Sequence, residues 1–336
     1  MTLESLQKNG YVHIPAILTP ANPDPHLDLT RLLTTTTTAT QLARSGIWPH
    51  FRTVPKQFPP WPSTPPPAEE GGIWGVQHLL HPEMPGREAF AGVYFSDRIL
   101  QVVEEILLPR GQGQAHNGSQ EKGDGDEPLV MELFNLLVAP ETIDFELRWH
   151  RDDIPNTATP EEEQARLEEC QSQNQAEGGG QSHAQYNLAL CTDSSLIVVP
   201  GSHRRVRTEI ERAADPYEPV LPGQVEVELK PGDAVFYDSN ILHRGVYKAK
   251  EAGGPETRLT LHGSVGLKQT GGDGGDGGDS GLEEKKVRAR AVLQHGVGKW
   301  VYRDDAAFGL GDRPERMRRN LVDMGTGEGV GFSLQG

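Results

Sequence analysis

Leu147–Asp153 reads LRWHRDD and, much later in the chain, Ile241–Gly245 reads ILHRG. In the first stretch His150 and Asp152 stand two apart. Residues so spaced on an extended strand project from one face, so an imidazole and a carboxylate can converge on one point. His243 follows a Lys230–Asp233 turn (KPGD) and an apolar run, which places it at the end of a second strand. Two histidines and one carboxylate on one side of an ion leave its other positions open, the facial triad of non-haem iron(II) centres. The alternation Phe145, Leu147, Trp149 marks a half-buried strand, with His150 and Asp152 leaving its opposite face. The same parity puts Glu146 and Arg148 on the metal-bearing face, unless a bulge or the end of the barrel returns them to solvent. Against all this stands the plain alternative of a solvated histidine beside two acids.

Outward from these stretches, short apolar runs bounded by Gly and Pro dominate the middle of the chain. Val130–Val138, Asp144–Trp149, Tyr186–Cys191, Ser195–Val199, Val225–Leu229, Ala234–Tyr237, Ile241–Val246 and Arg258–Val265 read as strands, and Pro200–His203 (PGSH) as a sharp turn that takes His203. Many short strands with few helices between them point to a mainly β fold with flanking helices, a jelly roll. Leu3–Leu18 reads as helix, Gly turn and strand, and Leu27–Leu42 as a helix despite its threonine run. Ser96 or Asp97 caps a further helix. The proline-rich Trp48–Trp74 segment reads as an ordered loop wrapping the core, or as an aromatic and basic wall over a pocket.

Three Gly-, Asn- or acid-rich spacers interrupt this pattern: Gly111–Pro128, Thr157–Ser182, which holds a short acidic helix-like run and then Gly178–Gly180, and Gln269–Gly281, the last containing GGDGGDGGDSG. It lacks the nine-residue period of calcium-binding Gly-Asp repeats and reads as a linker. His116 and His183, in or beside such spacers, are expected to be solvated. The division expected is a single catalytic domain over residues 1–336. It comprises an N-terminal helical and loop part to residue 110 and a core over 128–267 with an insertion at 157–182. A flexible linker at 268–285 and a C-terminal extension at 286–336 follow, the latter with a helix starting near Pro314 and stopping near Gly325.

The 336 residues suffice for a sizeable core. A net charge of −16 argues against nucleic acid and anionic membrane surfaces as partners. Cys170 and Cys191 make no disulfide framework. With no signal peptide, membrane-spanning run or C-terminal peroxisomal tripeptide, a cytoplasmic protein is expected. Oligomeric state is not legible.

WHRDD (Trp149–Asp153), VVPGSHR (Val198–Arg204), LKPGDAVFYDSNILHRG (Leu229–Gly245) and a strand opening on Arg258 occur in this order. Together they resemble the phytanoyl-CoA dioxygenase family of Fe(II)- and 2-oxoglutarate-dependent oxygenases, which use a double-stranded β-helix (cupin-like). The likeness runs from Asn9–Pro15 (NGYVHIP) to about Val265, insertions excepted. It implies Fe(2+) ligation by His150, Asp152 and His243 as the catalytic centre, and 2-oxoglutarate as co-substrate with its distal carboxylate gripped by Arg258. Arg258 lies 15 residues after His243, longer than the family interval; an elongated hairpin loop absorbs the difference. Thr260 shares the Arg258 face and could assist. Asn135 and Asn187 occupy positions that flank the co-substrate in the family, and read equally well as satisfied core amides. His262 reads as structural or pocket-lining.

The resemblance implies oxidation of a small organic substrate by O₂, with succinate and CO₂ as co-products. Halogenating relatives leave the carboxylate position vacant, so Asp152 favours hydroxylation, desaturation or another oxidation. An acidic chain suits a small metabolite or free acid better than an acyl-CoA. The alternatives are a His/Asp/His metal-dependent hydrolase, which has no need of Arg258, and a non-catalytic jelly-roll binding protein.

Overall fold

The computed structural model describes residues 2–54, 62–108, 127–176, 183–249, 258–268 and 297–324. The Gln269–Gly281 linker, His116 with most of its spacer, Gly178–Gly180, Lys250 with most of the loop ahead of Arg258, and Gly325 lie outside them.

Eleven strands appear among the described residues: β1 (Tyr11–Ile14), β2 (Phe51–Thr53), β3 (Ile73–Val76), β4 (Leu129–Val138), β5 (Phe145–Glu146), β6 (His183–Ala189), β7 (Leu196–Val199), β8 (Val225–Glu226), β9 (Ala234–Tyr237), β10 (Leu242–Tyr247) and β11 (Leu259–Leu267). One sheet has the order β1-β9-β6-β11-β4-β3-β2 and the other β5-β10-β7-β8. From β4 to β11 the chain alternates between the sheets except at β7–β8, the winding of a double-stranded β-helix, and every pairing is antiparallel.

Side-chain alternation along the strands of the large sheet builds two cores. Leu136, Leu188, Phe236 and Leu261 face outward under the helices. Ala189 and Val235 face the small sheet, meeting Leu196 and Val198. The helices are α1 (Thr2–Asn9), α2 (Leu29–Arg44), α3 (Arg87–Tyr94), α4 (Asp97–Leu107), α5 (Pro160–Ala176), α6 (Glu209–Ala213) and α7 (Asp312–Asp323). In α2 the poor helix formers Thr34, Thr35, Thr37 and Thr38 turn their hydroxyls back onto carbonyls four residues earlier, at 2.7–3.1 Å. Asp28 caps its start, accepting from Thr30 N at 2.8 Å, as Ser96 caps α4. Pro314 falls in the first turn of α7, and Asn320 on that helix donates to the carbonyls of Glu127 and Leu129, both at 2.8 Å.

Four expectations change. Val225–Leu229 is regular strand only over β8, because the register slips by one residue between the Ile197–Glu226 pair and the isolated Leu229–Asp193 bridge; Val227 and Leu229 remain buried and hydrogen-bonded to Leu196 O and Asp193 O. The Trp48–Trp74 segment supplies β2 and the start of β3, which extend the large sheet beyond β4, so it is not loop throughout. His183 opens β6, half-buried and paired with Gly266, rather than lying in solvent. The acidic helix-like run expected in the insertion is present but longer than a short turn, the 17-residue helix α5, and its Glu163 is fully buried rather than solvated. No helix among the described residues is long and apolar enough to cross a membrane.

Candidate metal centre

A one-residue irregularity places the first ligand. β5 pairs with β10 through Glu146–Val246 and Phe145–Tyr247, yet three residues further along β10 His243 meets His150, one residue later than regular pairing would give. The extra residue is a bulge, and a bulge reverses the parity of everything beyond it. Phe145 and Leu147 therefore pack inward with Trp74, Leu137 and Tyr247. Trp149 turns outward onto Ile197, Val199, Leu221 and Leu242, and its indole N–H donates to Glu218 O at 2.8 Å. His150 turns inward. Strict alternation is thus corrected: His150 shares its face with Phe145 and Leu147. Glu146 goes outward to pair with Arg244 at 2.7 Å, and Arg148 is exposed.

Asp152 sits on a bend, not a strand, with its N–H donating to Ser239 O at 2.8 Å. Its Oδ1 lies 3.5 Å from His150 Nε2 and 3.8 Å from His243 Nε2, and the three donor atoms fall within 4.8 Å of one another. Each imidazole is set by its other nitrogen. His150 Nδ1 meets Arg148 O at 2.7 Å and His243 Nδ1 meets Ile241 O at 2.9 Å. A carbonyl can only accept, so both protons reside on Nδ1 and both Nε2 lone pairs point at Asp152, the tautomer that metal ligation requires. Gln185 Nε2 donates to Asp152 Oδ2 at 2.8 Å, leaving Oδ1 for the shared point.

The protonation states agree with this. Burial, then the neighbouring His243, lowers His150 to about 4. Burial alone would raise Asp152, but the two imidazoles and Gln185 outweigh it and hold the carboxyl below its ordinary range. A neutral His150 beside an ionised carboxylate suits a divalent cation. The donor set of two nitrogens and one oxygen suits Fe(2+). Asp152 keeps 35% of its side chain accessible, so the group opens toward solvent on that side.

Between the two ligands of the first stretch, Arg151 points the other way and is buried. Its Nε donates to Glu163 Oε1 at 2.9 Å, and its Nη atoms donate to the carbonyls of Ser202 (2.9 Å), Arg205 (2.9 Å) and Asn240. Glu163, fully enclosed, also takes Arg207 at 3.2 Å and Arg212. The insertion helix therefore clamps the loop that carries both ligands.

Arg258 lies just ahead of β11. Its Nη1 donates to Asp193 Oδ2 at 3.0 Å and to Thr260 Oγ1 at 3.2 Å, and its Cζ sits 4.9 Å from the centre of the Tyr247 ring. Its Nε and Nη2 are buried with no hydrogen-bond partner among the described residues. The Thr260 hydroxyl gives its proton to Asp193, so Thr260 fixes the Arg258–Asp193 pair. Other cations near the second stretch are engaged elsewhere: Arg244 with Glu146, Lys248 with Asp144 and Arg205 with Glu211. Asn135 Oδ1 accepts from His78 N at 3.3 Å while its Nδ2 is buried and unpartnered. Asn187 Oδ1 accepts from His262 Nδ1 at 2.8 Å.

Sequence reading passed over Gln185, Asp193, Glu163 and Tyr247. Gln185 carried a signal, since Gln185 and Asn187 alternate with buried Tyr186 and Leu188. Glu163 carried none within its run of three glutamates.

No family model matches the sequence, and no curated protein matches it. Solved structures similar to this chain include AviO1, HygX and SnoN. AviO1 from Streptomyces viridochromogenes Tue57 is 16% identical with a TM-score of 0.47, over 79% of this chain and 93% of that one. HygX from Streptomyces hygroscopicus, solved with nickel and 2-oxoglutarate, is 14% identical with a TM-score of 0.47, over 79% and 85%. SnoN, described as a non-haem alpha-ketoglutarate-dependent epimerase from nogalamycin biosynthesis, is 16% identical with a TM-score of 0.42, over 82% and 90%. Likenesses this distant assign neither chemistry nor substrate, and the functional reading rests on the side chains described above.

Proposed function

We propose that this chain is an Fe(II)- and 2-oxoglutarate-dependent dioxygenase that oxidises, by hydroxylation, a small organic substrate. The observation that carries the reading is a pairing of two unfinished sites. His150, Asp152 and His243 aim three donor atoms at one point, and Arg258 holds two buried N–H groups without acceptors. A buried donor left unpaired costs about 1–3 kcal/mol, which a carboxylate accepting from it removes. When bound, iron and 2-oxoglutarate supply activation of O₂ at the expense of decarboxylation to succinate.

The chain's own residues do the rest. Gln185 and the carbonyls of Arg148 and Ile241 orient the ligands before a metal arrives, so little is lost in organising them. Arg258 takes the distal carboxylate of 2-oxoglutarate through Nε and Nη2, a fork geometry that Lys does not offer. Asp193 and Thr260 fix the guanidinium, and Tyr247 supports its face. Asn135 Nδ2 is a further donor available to the co-substrate.

Anaerobic titration with Fe(II) tests the reading. A visible charge-transfer band is expected only when 2-oxoglutarate is also present, and is expected to vanish in His243→Ala. No band in the wild type, together with no 2-oxoglutarate-dependent succinate, would return the chain to the hydrolase or binding-protein alternatives.

A further inference from the structure

Arg52 is a charge without an answer. Strand β2 carries it inward opposite Gly75, where the missing side chain gives it room: a Cβ at Gly75 would come within 3.4 Å of the Arg52 Cβ and Cδ. Its guanidinium carbon lies 5.2 Å from the centre of the Trp74 ring. Only 8% of the residue is exposed. It forms no ion pair or hydrogen bond with any described side chain, and its Nε is buried and unpartnered. Burial lowers its pKa to about 10, still well above neutrality, so the charge is retained.

Its neighbourhood is the interior that the metal centre shares. Tyr247, which supports Arg258, also packs against Trp74 at 5.3 Å. Burial lowers His262 to about 4, with the Arg52 charge next in weight and Asp152 and His243 also felt there. Just past β3, Gln77 is fully buried with neither its amide oxygen nor its nitrogen partnered, and Asn135 Nδ2 is likewise unpartnered. Buried guanidinium groups are ordinarily paired, and the other buried ones among the described residues, Arg151 and Arg244, are paired with Glu163 and Glu146. Arg258 already offers a place for the co-substrate's distal carboxylate.

Resting on the dioxygenase reading, we infer that Arg52 binds a carboxylate carried by the molecule that is oxidised, with Gln77 contributing amide hydrogen bonds beside it. The substrate class is thus a small organic acid, held between Arg52 and the metal centre with the bond to be oxidised turned toward His150, Asp152 and His243.

The test uses the full chain without metal and four probes: acetate, benzoate, phenylacetate and 3-phenylpropionate, each against its neutral amide, by calorimetry. At least one acid is expected to bind while its amide does not. Affinity is expected to fall about 30-fold or more in Arg52→Gln, to persist in part in Arg52→Lys, and to change less than about threefold in Arg258→Gln. Arg52→Met is expected to melt no lower than the wild type in the absence of acid, because it removes an unpaired buried charge and keeps the stack on Trp74. None of the four acids binding, acid and amide binding alike, or equal affinity in Arg52→Gln would overturn the inference. So would a marked drop in the melting temperature of Arg52→Met, which assigns Arg52 to structure. A parallel titration of the Ni(II)-loaded protein with 2-oxoglutarate separates the sources: loss in Arg52→Gln as severe as in Arg258→Gln means that Arg52 holds the co-substrate instead. No 2-oxoglutarate binding in the wild type sinks the dioxygenase reading while leaving the acid titrations to report on Arg52 by themselves.

Discussion

Two sets of buried or half-buried arginines lie on opposite sides of the ligand-bearing loop, and the protein treats them differently. Outside it, Arg151, Arg207 and Arg212 converge on the fully buried Glu163, and every arm of Arg151 ends on a carboxylate or a backbone carbonyl. Inside, among the described residues, Arg258 keeps its Nε and Nη2 unpaired beyond its single carboxylate, and Arg52 meets no carboxylate. Charge buried for architecture is answered from within the chain, since an unpaired ion in a low-dielectric interior costs several kcal/mol. Charge buried for a ligand is left open on one side. The difference separates a clamp from a receptor more sharply than burial or residue type does.

The sharpest way to break this comparison is at the clamp. Glu163→Gln leaves three guanidiniums facing a neutral amide, and removal of one partner of a buried pair costs about 3–5 kcal/mol. Chemical denaturation should show a loss of that size, and Fe(II) affinity should weaken with it because Arg151 lies between His150 and Asp152. An unchanged denaturation midpoint would mean that the cluster is not a clamp. Arg258→Met tests the receptor side. There the fold should hold while 2-oxoglutarate binding weakens by about 2–5 kcal/mol, or roughly 30- to several-thousand-fold. Fe(II) binding measured without co-substrate should be retained, and equal loss of both would place Arg258 with the architecture.

Acid probes the same interior by another route. Burial is the first cause that lowers His50, His203 and His262 to about 4, against about 6.5 in the unfolded chain. A depressed histidine pKa means that the unfolded state takes up the proton first. Its contribution to stability is therefore complete above pH 6.5 and is lost as pH falls from 6.5 toward 4, at up to about 1.4 kcal/mol per pH unit for each group. Urea midpoints at pH 7 and pH 5 should differ accordingly; equal midpoints would show that these rings are hydrated. The smallest effect belongs to the surface pair Lys248–Asp144, both exposed and 2.8 Å apart. Lys248→Ala should change stability by about 0–1 kcal/mol, and a larger loss would show that the loop ahead of Arg258 is held by more than this contact.

Much of the site was legible before any coordinates. The spacing of His150 and Asp152, the late His243 and the strand opening on Arg258 are local patterns, and the structure brings the first three residues together as a group that could hold a metal ion. The reason given for their convergence was only partly sound. Alternation along Asp144–Trp149 put the histidine opposite the aromatics, whereas a single bulge puts His150 on the same face as Phe145. Periodicity cannot report a bulge, because the extra residue is defined by the partner strand and not by its own neighbours.

What the chain determined by itself is what depends on short-range order. The turns at Gly10 and Gly201, both at positive φ, the caps at Asp28 and Ser96, the strand periods and the short stretches that carry His150, Asp152 and His243 all follow from residues close in sequence. What the tertiary structure decided is which buried charges are answered. Glu163 sits in a run of glutamates that reads as solvent-facing, and Arg52 in a proline-rich segment that reads as a wrapping loop or as an aromatic and basic wall over a pocket. Only the closure of the two sheets, with α5 laid over the ligand loop and β2 added to the edge of the large sheet, enclosed one beside three arginines and the other beside none of its opposite charge. Pairing across such distances is set by the packing of the whole domain, so no local pattern along the chain encodes it.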